Sequence, residues 1–251
     1  MINIKDLDQK SAIAEAYRSI RTNIIFSDVD NNLKTILFTS TSKNEGKSTV
    51  ISNLAYSFSR LENKKILLLD LDLRNPTIHK LFGVSNTNGV MDILKDNKAK
   101  DKCILKIEDN LHVIPSGLIP PNPAEILSSK RFGEFLESIK EDYDYVFIDA
   151  PPIGIVSDAN IISTYVDGVM FLVGANDVDL KHAQIAIENL KKANVNIIGA
   201  VLNKYEVTEP DYEYYTYYYY DEDGGKVGGK HSKKRRRKRK MAKKKGLSFS
   251  R

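Results

Sequence analysis

The chain has 251 residues, 41% of them hydrophobic, which is enough to bury one large core, or one core plus tails. A single cysteine, Cys103, excludes an intrachain disulfide and fits a reducing cytoplasm. No apolar run approaches the ~18 residues of a membrane span, and Met1–Ser27 is charged throughout, unlike a signal peptide. The net charge of +5 is uneven, because Lys230–Arg251 carries thirteen Lys and Arg and no acid, leaving 25 basic against 33 acidic residues elsewhere, a net of −8.

Alternating helical and apolar segments occupy most of the chain. An amphipathic helix is predicted over Gln9–Phe26, and later helical patterns are clearest over Ser48–Leu61 and Asp179–Lys192. Six apolar runs are predicted to be strands: Thr35–Thr39, Lys65–Asp70, Leu111–Pro115, Tyr145–Asp149, Gly168–Val173 and Ile197–Leu202. They are nearly continuous in Val, Ile, Leu and Phe, which is typical of parallel strands buried on both faces. The pattern predicts an α/β fold with a doubly wound, mostly parallel sheet and a ligand site at the carboxyl ends of the strands.

The composition changes after this region, and three parts are predicted. Residues 1–204 form the folded domain with its N-terminal helix. Residues 205–229 form a flexible segment containing DYEYYTYYYYDED, which has seven of the thirteen tyrosines, and a glycine-rich spacer. Residues 230–251 form a polybasic tail, expected to be disordered because it cannot bury a core.

The stretch STSKNEGKST, Ser40–Thr49, lies between a predicted strand and a predicted helix, as a phosphate-binding loop does. In such a loop, backbone N–H groups and the helix N-terminus bind phosphate. The candidate nucleotide contacts are Asn44, Glu45, Gly46, Lys47, Ser48 and Thr49. Thr41 stands where the usual pattern has its first glycine. Since asparagine tolerates positive φ, we expect Asn44 to let the loop close; the alternative is a polar turn that precedes a helix.

Three aspartates follow or end apolar strands. Asp70 and Asp72 lie in ILLLDLDLRNP, and Asp149 lies in YVFIDAPP. Each could be a capping or turn residue, but together with the loop they predict a site for Mg²⁺ and ATP at one end of the sheet. Arg74 is either a guard of the site entrance or, more commonly at such a position, a surface ion pair.

GKST, LLLDLDLRNP and VFIDAPP resemble the Walker A, A′ and B motifs of the bacterial tyrosine kinases (BY-kinases) of capsule and exopolysaccharide synthesis, which are P-loop NTPases. The N-terminal E-x-x-R-x-x-R motif of that family matches Glu15, Arg18 and Arg21, and the segment IPPNPAEIL, 119–127, resembles the loop before one of its helices. The tyrosine run resembles its autophosphorylation segment. The likeness extends over about residues 15–220.

The resemblance implies a role for each motif. Asp70 would be the base or orienting group for the tyrosine hydroxyl, and Lys47 and Thr49 would bind phosphate. The residues expected to help hold Mg²⁺ are Ser48, Asp72 and Asp149. The expected autophosphorylation sites are Tyr212, Tyr214, Tyr215, Tyr217, Tyr218, Tyr219 and Tyr220.

The resemblance also implies partners and a location. It implies a ring-shaped octamer assembled through Glu15, Arg18 and Arg21, and a separate transmembrane adaptor that activates the kinase. The expected location is cytoplasmic, at the inner face of the cell membrane. The polybasic tail is either a solvated polycation, a ligand of anionic lipid, or a segment that folds back on phosphotyrosine; nucleic acid is disfavoured because residues 230–245 contain no aromatic.

Two other functions share these motifs. One is a Min/Par-type positioning ATPase, but Ser42 stands where those ATPases carry a signature lysine. The other is a scaffold that binds nucleotide through a degenerate loop without turnover.

Overall fold

A seven-stranded sheet forms the centre of the fold in a computed structural model that describes residues 11–28 and 33–206. The strands are β1 (Thr35–Ser40), β2 (Ile66–Asp70), β3 (Leu105–Glu108), β4 (Leu111–Ile114), β5 (Tyr145–Asp149), β6 (Gly168–Gly174) and β7 (Ile197–Asn203). Their order across the sheet is β3-β4-β2-β5-β1-β6-β7. All neighbours are parallel except β3 and β4. The predicted doubly wound, mostly parallel α/β fold is therefore confirmed.

Helices connect these strands. Their bounds are α1 (Ala12–Ser27), α2 (Lys47–Phe58), α3 (Ile78–Phe82), α4 (Val90–Lys95), α5 (Lys100–Cys103), α6 (Pro123–Leu127), α7 (Lys130–Lys140), α8 (Asp158–Ser163) and α9 (Leu180–Lys192). Among the described residues, no helix is long and apolar enough to cross a bilayer.

All six predicted strands are present, with ends that differ by one residue at most. The strand missed is β3, which pairs antiparallel with β4 at the edge of the sheet. Its sequence LKIE is short and only partly buried, so it lacks the continuous apolar run that identified the others. The predicted helix over Ser48–Leu61 is shorter in the structure and ends at Phe58.

Alternate residues of each central strand pack into two separate cores. On one face, Leu67 and Leu69 belong to a cluster with side chains of α4, α7, α8 and α9. On the other, Ile66 and Leu68 belong to a cluster with side chains of α1 and α2. Both faces are therefore covered by helices, and this leaves the carboxyl ends of the strands as the place for a ligand.

Residues 207–251 lie outside the description, and with them the tyrosine run and the polybasic tail. The chain divides into the units Met1–Tyr205 and Glu206–Arg251, and the fold above belongs to the first.

Candidate nucleotide site

A cavity of about 350 Å³ opens over the loop between β1 and α2, at the carboxyl edge of the sheet. Its lining residues are Ser40, Ser42, Lys43, Asn44, Glu45, Gly46, Lys47, Ser48, Thr49, Asp72, Asn75, Thr77, Leu81 and Pro152. All six predicted nucleotide contacts are among them. The structure brings together at this cavity the loop and the segment after β2, which are far apart in the sequence.

The loop takes left-handed backbone conformations at Asn44, with φ 66°, and at Gly46, with φ 88°. The expectation that Asn44 supplies a positive φ is therefore confirmed. Thr41 has no positive φ, so its position does not require the backbone freedom of glycine. The glycine that is needed near Thr41 is Gly154, whose backbone lies so close to the loop that a Cβ atom on it would be 2.4 Å from the Thr41 carbonyl oxygen.

The Glu45 carboxylate supports the loop from within. It is 1% exposed and accepts hydrogen bonds from the backbone N–H of Ser42 and from that of Gly174, the latter at 2.8 Å. Both oxygens are thus used inside the protein, and any contact of Glu45 with a nucleotide is through its backbone. The sequence did not indicate this role, because Gly174 lies at the end of a distant strand.

Asn203, the last residue of β7, and Lys204, which follows it, contact the same loop. Asn203 Nδ2 donates to the Glu45 carbonyl oxygen at 2.8 Å, and Lys204 Nζ donates to the Asn44 carbonyl oxygen at 2.6 Å. Lys204 also forms an ion pair with Asp177 at 2.6 Å. Neither Asn203 nor Lys204 was identified from the sequence, where Lys204 marked only the end of regular structure.

Lys47 and Ser48 both contact Asp149. Lys47 Nζ forms a buried ion pair with Asp149 Oδ1, and Ser48 Oγ donates to Asp149 Oδ2 at 2.6 Å. Asp149 is fully buried at the end of β5. The loop and the strand-end aspartate therefore meet as their motifs predicted.

Asp70, fully buried at the end of β2, lies beside the same group. Its Oδ2 accepts from the backbone N–H groups of Thr77 and Ile78, both at 3.1 Å. Burial, with a further contribution from the charge of Asp149, raises the pKa of Asp70 well above its ordinary value. A carboxylate with a raised pKa is a better proton acceptor than an exposed aspartate.

Asp72 lines the cavity and is 8% exposed. Burial raises its pKa as well, against the lowering effect of Lys47. Its Oδ1 accepts from the backbone N–H of Asn75 at 3.0 Å. Within residues 11–28 and 33–206, no three His, Cys, Asp or Glu side chains are grouped so as to hold a metal ion.

The hydroxyl and carboxylate oxygens of Ser48, Asp72 and Asp149 nevertheless suit Mg²⁺. That ion prefers hard oxygen ligands and is commonly held by one or two carboxylates together with substrate phosphates. The donors present therefore fit a magnesium ion that arrives with a nucleotide.

Arg74 forms a two-fold ion pair rather than guarding the cavity. Its Nε and Nη2 donate to the two carboxylate oxygens of Asp158 at 2.8 and 2.9 Å. Asp158, at the start of α8, is fully buried, whereas Arg74 is 42% exposed. The predicted ion pair is present, but its carboxylate is buried rather than at the surface. The pair joins the segment after Asp72 to the segment after Asp149.

The three residues of the E-x-x-R-x-x-R motif lie on α1. Glu15 accepts from Arg18 Nε at 2.8 Å within the helix. Arg21 Nη1 instead donates to the Ser57 carbonyl oxygen at 2.6 Å, near the end of α2. The motif thus divides into a half-buried pair within α1 and Arg21, which joins α1 to α2, the helix that begins at the phosphate loop.

Comparison with known proteins gives a consistent picture. Residues 33–194 match a family model described as an AAA domain. The chain is 39% identical over 210 residues to tyrosine-protein kinase YwqD of Bacillus subtilis, covering 83% of this chain and 88% of that protein. It is 34% identical over 209 residues to the putative tyrosine-protein kinase CapB of Staphylococcus aureus, covering 83% and 91%.

Solved structures agree. The kinase domain of the Escherichia coli tyrosine kinase ETK aligns with a TM-score of 0.76 at 30% identity, covering 81% of this chain and 80% of that one. A ParA family ATPase from Chlorobium tepidum aligns with a TM-score of 0.60 at 18% identity, over 72% and 80%. The second likeness shows a shared fold and nothing more.

Proposed function

Because the chain belongs to the bacterial tyrosine-protein kinase family, we propose that it transfers the γ-phosphoryl group of ATP to tyrosines of its own C-terminal segment. The observation that carries the proposal is the convergence of Lys47, Ser48 and Asp70 on Asp149, next to a cavity that Lys47 and Ser48 line. A positioning ATPase has the same fold, but it needs neither the tyrosine run nor a raised pKa at Asp70.

The nucleotide is proposed to occupy the cavity above the loop. The N–H groups of the loop and the start of α2 would bind its phosphates, with Lys47 and Thr49 contributing from the helix. Ser48, Asp72 and Asp149 would hold the Mg²⁺ ion, which when bound neutralises charge on the β- and γ-phosphates. Asp149 has a second role in this scheme, since it orients both Lys47 and Ser48.

Asp70 is proposed to accept the proton of the attacking tyrosine hydroxyl. A phenol with a pKa near ~10 is mostly protonated at neutral pH and must lose its proton as it attacks. The phenol oxygen forms the new bond to phosphorus, the bond to the β-phosphate oxygen breaks, and ADP leaves. The two N–H groups that hold Asp70 Oδ2 fix the direction of its carboxylate.

The proposed sites of modification are the seven tyrosines from Tyr212 to Tyr220, which lie outside the described residues. Each phosphate adds roughly −1.5 to −2 charges to an already acidic segment. We propose that this repulsion loosens contacts between subunits of a ring assembled through α1.

The proposed setting is the cytoplasmic face of the cell membrane, beside a transmembrane adaptor that activates the kinase. Control of capsular or exopolysaccharide polymerisation and export is the process that this arrangement suits. The polybasic tail, also outside the described residues, is proposed to contact anionic lipid at about 1 kcal/mol per basic residue near the surface.

Incubation of the purified chain with Mg²⁺ and ATP tests the proposal, with and without the cytoplasmic segment of a candidate adaptor. Intact mass and peptide mapping then locate phosphate. We expect phosphotyrosine within residues 212–220, its loss in Lys47→Met, and its retention in Lys64→Met, which alters a lysine paired with Asp144. Equal labelling of Lys47→Met and the unaltered chain would contradict the proposal.

A further inference from the structure

The contacts between the end of β7 and the phosphate loop involve two consecutive peptide groups. The Asn44 carbonyl accepts from Lys204 Nζ, and the Glu45 carbonyl accepts from Asn203 Nδ2. Both carbonyls therefore point toward Asn203 and Lys204 at the end of β7.

The direction of each carbonyl fixes the direction of an N–H group. No peptide bond in the described residues is cis, so the C=O and N–H of one peptide group point in opposite directions. The carbonyl of Asn44 shares its peptide with the N–H of Glu45, and the carbonyl of Glu45 shares its peptide with the N–H of Gly46. Because the carbonyls point toward the end of β7, these two N–H groups point away from it, to the opposite side of the loop.

The loop conformation agrees with this geometry. Left-handed φ values at Asn44 and Gly46, separated by Glu45, are those of a backbone concavity that binds anions. In the part of the chain that is described, neither the N–H of Glu45 nor that of Gly46 has an intramolecular acceptor. These donors are available to a phosphate group.

We propose that Asn203 and Lys204 are positioning residues for the phosphate loop, which aim the N–H groups of Glu45 and Gly46 at the nucleotide. Lys204 has the larger role, because Asp177 holds its ammonium group from the other side. These two hydrogen bonds explain how a loop with Thr41 in place of glycine keeps a conformation that binds phosphate, because residues at the end of β7 hold its backbone. The inference rests on the proposed function, because it assumes that the loop binds nucleotide.

Lys64 provides a matched control for Lys204. Their side chains are 46% and 43% exposed, and each is paired with an aspartate. Lys64, however, lies two residues before β2, at the amino ends of the strands, whereas the loop lies at their carboxyl ends. A change at Lys64 therefore removes the same charge and a similar ion pair without touching the phosphate loop.

The test measures the Kd for Mg·ADP by calorimetry, in the full chain, for the unaltered protein and for Lys204→Met, Lys204→Arg, Asn203→Ala and Lys64→Met. Because Lys204 is 43% exposed, loss of its hydrogen bond is expected to cost about as much as an ordinary one, which predicts Kd values about five- to tenfold higher for Lys204→Met. We expect a smaller loss for Lys204→Arg, which keeps a donor, a clear loss for Asn203→Ala, and no change for Lys64→Met. In kinase assays, the KM for ATP should rise in Lys204→Met while kcat changes little.

The Tm of each variant without nucleotide separates positioning from general stability. A Kd increase in Lys204→Met with a Tm equal to that of Lys64→Met supports the inference. Unchanged Mg·ADP affinity in both Lys204→Met and Asn203→Ala overturns it, as does equal weakening in Lys64→Met. Failure of the unaltered chain to bind Mg·ADP at all would instead remove the proposed function.

Discussion

Asp70 and Asp149 are directly paired in the sheet, as the last residues of the adjacent parallel strands β2 and β5. Both are fully buried. Asp149 is neutralised by Lys47, whereas Asp70 has backbone N–H groups as its partners. The pairing thus places Asp149, whose charge Lys47 compensates, beside Asp70, whose ionised form is disfavoured. These environments are the ones expected of an orienting group for Asp149 and of a base for Asp70.

The raised pKa of Asp70 predicts a pH dependence of phosphoryl transfer. The base must be ionised to accept a proton, so the rate should fall on acidification at a higher pH than an ordinary aspartate would give. An unshifted carboxyl stays ionised down to about pH 5. Single-turnover formation of phosphotyrosine, measured from pH 8 downward at saturating Mg·ATP, checks this. A rate that stays constant to about pH 5 would contradict the assignment of Asp70 as base.

The same pKa predicts that Asp70→Asn stabilises the protein. An acid whose pKa is higher in the folded than in the unfolded state binds protons more tightly when folded, so the free energy of unfolding falls as pH rises through that range. Asparagine removes this loss and keeps an oxygen for the N–H groups of Thr77 and Ile78. The Tm of the variant should exceed that of the unaltered chain by a margin that grows as the pH rises above about 4, the ordinary pKa of an unfolded aspartate, and each kcal/mol should add about 2–4 °C. A lower Tm for Asp70→Asn than for the unaltered chain at every pH would show that the ionised Asp70 carboxylate does not destabilise the folded state.

Gly46 and Gly83 allow a paired test of the loop. Both have left-handed φ, of 88° and 65°, so alanine should cost ~1–2 kcal/mol of backbone strain at either position. A Cβ atom at Gly46 would also lie 2.3 Å from Asn203 Nδ2, whereas one at Gly83 meets nothing within 4 Å. We expect Gly46→Ala to weaken Mg·ADP binding at least as much as Asn203→Ala does, because the new Cβ displaces the Asn203 amide, and Gly83→Ala to leave the affinity unchanged, by calorimetry. Similar Mg·ADP affinities in the two variants would refute the steric account of Gly46.

The ion pair of Arg74 and Asp158 predicts a non-additive effect on stability. Arg74→Met leaves the buried Asp158 carboxylate without its partner, which should cost about 1–3 kcal/mol after allowance for the exposure of Arg74. Asp158→Asn combined with Arg74→Met should recover part of that loss, because it removes the unpaired charge. Urea unfolding of the two single variants and the double variant measures the coupling. Additive losses would mean that the pair contributes nothing beyond its separate side chains.

The sequence predicted the central strands well because strands buried on both faces have continuous apolar runs. The same rule missed β3, whose residues at the edge of the sheet are half exposed. The apolar runs also located the phosphate loop and the three aspartates, since each of these lies at or just after the end of such a strand.

What the sequence could not supply were the contacts that cross the fold. Glu45 is bonded to Gly174, Arg74 to Asp158, and Lys204 to Asn44, over separations of 84 residues or more. Nothing in the local residue pattern distinguishes these side chains from exposed polar ones. Their roles depend on which strand ends the topology brings together.

The central claim, that the chain transfers phosphate from ATP to its own tyrosines, is tested most directly by measuring the two products of that reaction together. ADP release and phosphotyrosine within residues 212–220 are quantified in the same samples of the full chain with Mg·ATP and adaptor segment, beside Asp70→Asn. A tyrosine kinase predicts that early ADP formation is matched by phosphotyrosine and that the variant loses both. ADP released with free phosphate and no phosphotyrosine would contradict the account and indicate an ATPase of the positioning type.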